Sequence, residues 1–239
     1  MKKQALPRYL QAREYLLRQI RLLSPGDNQL EPENTLAERL GMSRETIRKA
    51  MTSLIQDGVI TRWHGKGNFG HPAVSNLAMR IDINSDFRRL LGESGYQVRT
   101  VRSEPKQSRP SEGMLVRMPE ASGKEVVSFI LSIFGDDELA IQGDVELLKD
   151  IVRTMPVSGE YTENMDSFLK DHCITESNHT TAWLQAEHNP AIAQRFFLPT
   201  DTPLLCWEEV YYNLYEEKMG YVKIHFNPKI MDISMMLKF

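Results

Sequence analysis

Ser43, Arg44, Thr46, Arg48 and Lys49 fall within seven residues of one another and bring hydroxyls and cations into one short stretch. Arg44, Arg48 and Thr52 are spaced by four, so on a helix they line a single face. Arginine can bond a guanine edge with two parallel hydrogen bonds, while serine and threonine reach phosphate or a base edge. The chemistry this stretch could perform is recognition of duplex DNA in the major groove. Further on, His64-Gly65-Lys66-Gly67 reads as a tight turn carrying a cation. Its glycines allow backbone and Lys66 to approach phosphate or the minor groove closely.

Several elements must hold these groups in place. Asn34 can cap a first helix with Leu36, Ala37 and Leu40 on one side, and Gly41 stops it. Ser43 then caps a second helix, whose Ile47, Ala50, Met51, Leu54 and Ile55 recur at helical spacing as the buried face. Gly58 ends that helix. Val59 to Arg62 reads as a strand, the His64 turn follows, and Asn68-Phe69 returns. Ahead of them, Pro7 to Leu23 keeps Tyr9, Ala12, Leu16, Ile20 and Leu23 in helical register, an apolar face to pack beneath the recognition helix. Arg8, Arg13 and Arg18 on that helix are open to phosphate or to solvent. Residues 1–70 are therefore expected to be a winged helix-turn-helix.

The charge distribution agrees. The formal net charge is −3, but residues 1–70 hold 12 Lys/Arg against 7 Asp/Glu, and the remainder holds 17 against 25. A basic head on an acidic body suits a DNA reader tied to a domain with another task. Two cysteines, Cys173 and Cys206, are too few for a disulfide scaffold and fit a reducing cytoplasm. No apolar run approaches the roughly 20 residues that cross a bilayer, so no membrane role is expected. The opening MKKQALPRYLQAR lacks the apolar core of a secretory signal.

Residues 71–80 read as a linker, since Pro, Ser and Asn replace the helical pattern. Residues 81–239 then alternate strands with a few helices. Asp82 to Ser94 and Asn189-Pro190 to Phe197 read as helices. Glu125 to Phe134, Leu139 to Glu146, Ile174 to Trp183, Leu204 to Tyr212 and Met219 to Phe226 read as strands, with Asp136-Asp137 as a hairpin turn and Ile230 to Leu237 available to close the sheet. The expected fold class is α+β: an N-terminal winged helix-turn-helix, then a C-terminal, mainly antiparallel sheet domain with peripheral helices.

The run LAERLGMSRETIRKAMTSLIQDGVI, followed by HGKGNF, resembles the GntR family of bacterial transcription regulators over about the first 70 residues. The resemblance implies that Arg44, Thr46 and Arg48 meet bases or phosphates, with Ser43 at the helix start and His64, Gly65 and Lys66 at the wing. Many members carry Pro-Ser-Glu-Arg before the first helix. This chain has Glu31-Pro32-Glu33-Asn34, so Asn34 would offer a neutral amide where they offer a guanidinium. The second part resembles the effector-sensing domain of the HutC branch, whose fold is similar to chorismate lyase. The resemblance implies a homodimeric repressor that reads a short palindromic operator and responds to a small-molecule effector.

Members of that branch commonly hold an anion with two arginines on the long strand. Here those places fall on Leu131 and Ile133, so bidentate capture of phosphate is not expected. Polar side chains do alternate elsewhere, at Asp144 and Glu146 on one strand and at Lys223, His225 and Asn227 on a later one. A cationic ligand at Asp144 or Glu146, an anion at Lys223 and His225, and a plain solvent-facing sheet all remain open. No cofactor is expected. His172, Cys173 and His179 do not match a usual zinc spacing, so no metal site is expected either. The rival function is an enzyme of lyase-like fold with an accessory nucleic-acid-docking domain. It would need a nucleophile and base, and three acids at the turn Asp136-Asp137-Glu138 are a weak substitute.

Overall fold

Ala12, Leu16 and Ile20 recur every four positions, and the structure, a computed structural model describing residues 6–237, buries all three along α1 (Arg8–Arg21). Two more helices follow, α2 (Glu33–Leu40) and α3 (Arg44–Gln56). The α3 face formed by Ile47, Ala50, Met51 and Leu54 is fully buried with Ala12, Leu16, Ile20 and Leu36. Each of Ile47, Met51 and Leu54 stabilises the unit by about 1.5–3 kcal/mol relative to an exposed position. The ribbon is β1 (Ile60–Trp63) paired antiparallel with β2 (Gly67–Gly70). Gly70 is required by proximity: a Cβ there would lie 2.9 Å from Ile20 Cγ1 and 3.0 Å from Leu23 Cδ1, which fixes how closely the ribbon approaches α1.

Local chemistry explains most of these boundaries. Gly41 ends α2 in the left-handed conformation (φ 57°), and the Ser43 hydroxyl accepts from the Thr46 amide to start α3. Asn34 is not a cap. Pro32 precedes the first turn, α2 begins at Glu33, and no side chain caps it, so Asn34 is an exposed member of the first turn. A proline with its φ already set, followed by an acid favoured by the helix dipole, starts the helix without help from Asn34.

Residues 71–80 do not behave as the expected linker. Pro72 opens a short helix, α4 (Pro72–Ser75), and Arg21 Nε donates to the Ser75 carbonyl. Arg80 is buried, donates to the Asp57 carbonyl (2.8 Å) and pairs with Asp82 (2.5 Å). These bonds draw the segment into the first unit, which among the described residues consists of the chain up to Ser85 together with 233–237. The expectation that Ile230 to Leu237 closes the sheet also fails. Ser234 forms an isolated parallel bridge with Arg80, and its carbonyl accepts from the Ile81 amide.

The second unit, Asp86–Asp232, is the expected antiparallel sheet with helices. After α5 (Phe87–Glu93) come β3 (Val98–Arg102), β4 (Lys106–Ser108) and α6 (Glu112–Arg117). Next are the long strands β5 (Val126–Gly135) and β6 (Glu138–Leu148), joined by the Asp136-Asp137 hairpin with both φ positive (49° and 70°). The chain continues with β7 (Gly159–Glu160), α7 (Met165–His172), β8 (Ser177–His188), α8 (Pro190–Arg195), β9 (Pro203–Asn213) and β10 (Lys218–Phe226). Strand order is β7-β3-β5-β6-β10-β9-β8, with β4 also on β5. Asn189 caps α8 through the Ile192 amide, with Pro190 at its first position, as the sequence indicates. The apolar cluster of Ile192, Ala193, Phe196 and Leu204 lies at one end of a sheet face, and the cluster of Met114, Met118, Val210 and Tyr221 lies at the other.

Candidate nucleic-acid interface

Three arginines from two elements converge on one carboxylate. Arg48 Nε lies 3.3 Å and Arg44 Nε 3.7 Å from Glu33 Oε2, and Arg62 Nη2 donates to Glu33 Oε1 at 2.9 Å. Arg62 is held from the ribbon side as well, its Nε donating to Asn68 Oδ1 (3.0 Å), its partner in the β1–β2 register. Glu33 is mostly covered (14% of its side chain exposed), whereas Arg44, Arg48 and Arg62 remain 44–59% exposed. The result is an open groove between α3 and the ribbon, lined by Glu33, Asn34, Arg44, Arg48, Arg62 and Lys66. Exposed ion pairs of this kind are worth about 0–1 kcal/mol, so phosphate can take over the guanidinium bonds at small cost.

The remaining residues of the stretch divide. Ser43 and Thr46 share a hydroxyl–hydroxyl bond (2.8 Å) that fixes the first turn of α3. Lys49 leans back over the Tyr9 ring, 4.4 Å from its centroid, away from the groove. At the ribbon tip His64 is exposed, and Gly65 and Gly67 take positive φ (76° and 110°). Lys66 lies 4.0 Å over the exposed Trp63 ring, and its carbonyl accepts from Gln29 Nε2 (2.7 Å). Arg8 donates to the Gly41 carbonyl and Arg13 pairs with Asp57 (both 2.7 Å), so those two brace the helices. The sequence reading missed Glu33 and Arg62. The register of a four-residue ribbon was the only available signal for Arg62.

In the sheet unit, Asp144, Glu146, Lys223 and His225 do share one face of β6 and β10, with Lys223 opposite Asp144. The face is not a solvent-facing one. Glu146 is buried and accepts from the Ser111 amide (2.9 Å) and hydroxyl (2.5 Å). Lys223 Nζ and His225 Nε2 each lie 2.5 Å from an oxygen of Glu187, a residue of β8 absent from the sequence reading. Burial opposes ionisation of Glu187, yet the hydrogen bonds from Lys223 and His225 outweigh it and hold the carboxyl down to about 2. Asn227 does not line a groove. It is buried, donates to the Leu139 carbonyl and accepts from the Lys229 amide. His172, Cys173 and His179 are each engaged separately: His172 bonds the Thr154 carbonyl, burial pushes the Cys173 thiol up to about 11, and His179 stacks on Tyr212.

Residues 8–69 match the model of the family described as "Bacterial regulatory proteins, gntR family". Over 67 residues the chain is 40% identical to a probable fructoselysine utilization operon transcriptional repressor of Shigella flexneri, a match spanning 28% of each chain. It is 39% identical over 70 residues to the HTH-type transcriptional repressor NagR of Bacillus subtilis, again 28% of each. The chain thus aligns with little more than a quarter of the length of these curated relatives. Among solved structures, the possible transcriptional regulator YydK from Bacillus subtilis superposes with a TM-score of 0.69 over 98% of this chain and 100% of that one, at 16% identity. PhnF from Mycobacterium smegmatis gives 0.55 over 95% and 99%, at 14% identity. At such identities the likeness is one of fold.

Proposed function

We propose, from the match of residues 8–69 to the gntR family of bacterial regulatory proteins, that this chain is a DNA-binding transcription regulator, acting as a repressor. The observation carrying this reading is the exposed Arg44–Arg48–Arg62 groove beside the Lys66 turn. Arg44 and Arg48 would enter the major groove, with Ser43, Thr46 and Asn34 at its rim, while His64, Gly65 and Lys66 follow the adjacent backbone. Lys49, turned toward Tyr9, would serve phosphate at the margin. Two copies, associated as a homodimer, would read the halves of a palindrome about one helical turn apart. Such a role belongs in the cytoplasm, and none of the described helices is long and apolar enough to cross a membrane.

The sheet unit would carry the effector response, with a small molecule acting through its different affinity for two states of the dimer. Lys223 and His225 already share Glu187, so an anion would have to compete with that carboxylate. Asp144, half-exposed and bonded only weakly by Gln142 (3.4 Å), favours an amine-bearing effector, with Glu146 behind it. The relative named for fructoselysine utilization matches only the DNA-binding part, so its ligand is not carried over. The enzyme reading has little to stand on, because Asp136 and Asp137 form the bend of a hairpin, with Asp136 accepting from the Gln97 amide.

Fluorescence anisotropy against a duplex enriched from a random pool tests the regulator reading. Saturable binding tighter by at least about 1000-fold than to a scrambled duplex supports it, and equal affinity for both refutes it. Calorimetry with amines and with anions tests the effector site. If Asp144→Ala leaves binding of a proven ligand intact, that assignment falls.

A further inference from the structure

We propose that Glu187, Cys206 and His225 form a site for a divalent transition-metal ion of the zinc class within the sheet unit. The three residues come from β8, β9 and β10, adjacent strands of one sheet. His225 is the register partner of Cys206, and Glu187 lies two positions along from Gln185, the partner of Cys206 on the other side. Their side chains therefore meet on one face, and one ligand atom from each lies within 4.8 Å of the others. Cys206 is fully buried and His225 is 2% exposed.

Two further observations concern the far side of the His225 ring, since Nε2 is the nitrogen that faces Glu187. His225 Nδ1 has no hydrogen-bond partner although it is buried, and neither has Gln142 Oε1, from the residue paired with His225 on β6. With Nε2 on the ion, Nδ1 carries the ring proton, and a side-chain carbonyl such as Gln142 Oε1 on the neighbouring strand is the kind of acceptor that orients a liganding imidazole. A sulfur, an imidazole nitrogen and a carboxylate oxygen are donors for zinc, cobalt or nickel, whereas calcium and magnesium require oxygen ligands. Three protein ligands leave a fourth position for water or a small molecule. Glu187 has one oxygen directed to His225 and the other to Lys223, so Lys223 would orient the liganding carboxylate from behind. Admitting the ion requires the His225–Glu187 contact to open by about 1 Å, given metal–ligand distances near 2 Å.

Binding converts the Cys206 thiol to a metal thiolate: the S–H bond breaks, an S–metal bond forms, and the proton passes to solvent. A thiol that becomes a thiolate ligand releases one proton for each ion bound. The site is independent of the DNA-binding reading and does not require it to be correct.

The test uses the full chain, stripped with a chelator and titrated with Co²⁺. One equivalent should bind, with intense visible bands of four-coordinate cobalt, a sulfur-to-cobalt charge-transfer band in the near ultraviolet, and release of one thiol proton per ion. Cys206→Ser should abolish the charge-transfer band, His225→Gln and Glu187→Gln should weaken binding by about tenfold or more, and Cys173→Ser should change nothing. Failure of the wild-type chain to develop the band or release the proton overturns the proposal whether or not the variants fold. So does a band that survives in Cys206→Ser.

Discussion

Glu33 and Glu187 make an instructive pair. Each is a carboxylate gathering cations from neighbouring elements: Arg44, Arg48 and Arg62 for the first, Lys223 and His225 for the second. At Glu33 the cations face an open groove and keep about half their surface. At Glu187 they lie on a sheet face, with His225 fully covered. The same charge pattern therefore has different uses. An exposed cluster exchanges its partner for phosphate at little cost, while a covered one holds strands together or accommodates an ion.

The largest expected effect belongs to the covered side. Glu208 accepts from Arg117 Nε (2.8 Å) and the Tyr221 hydroxyl (2.8 Å), so Glu208→Ala strands both donors and should lower unfolding stability by about 3 kcal/mol. Urea unfolding measures it, and a loss no larger than that of Glu33→Ala, expected below about 1 kcal/mol, would erase the contrast. Next, Arg48→Ala should cost about 1–3 kcal/mol in binding the enriched duplex while leaving stability within about 0.5 kcal/mol. A smaller effect is expected from Glu33→Gln: removing a negative charge beside the phosphates should strengthen binding to scrambled DNA by about 1 kcal/mol and narrow the gap to the enriched duplex.

A pH-dependent effect sharpens the covered side. The Glu187 carboxyl is depressed to about 2 from an ordinary 4.5, so its contribution is present above pH 4.5 and is lost as pH falls toward 2. Stability measured through that window should decline less in Glu187→Gln than in the wild-type chain, and parallel curves would deny Glu187 this part.

The comparison also separates what sequence could reveal from what it could not. Ser43 as a cap, Gly41 as a stop and the buried stripe from Ile47 to Leu54 all follow from neighbours a few residues apart. The same local chemistry misplaced the cap at Asn34, because Pro32 and Glu33 start α2 without it. Residues 71–80 have the composition of a linker, but the buried Arg80–Asp57 bond that draws them in spans 23 residues. Glu187 is 36 residues from Lys223 in the chain, and only the β8-β9-β10 pairing brings them together. Alternation along one strand revealed Lys223 and His225 without revealing what neutralises them.

The most direct test of the central claim, that the arginine groove on α3 receives duplex DNA, is the salt dependence of binding. The logarithm of the association constant with the enriched duplex should fall linearly and steeply with the logarithm of salt concentration, and Lys66→Ala should reduce that slope by about 1. A response flat in salt, unchanged by Lys66→Ala, would contradict the account.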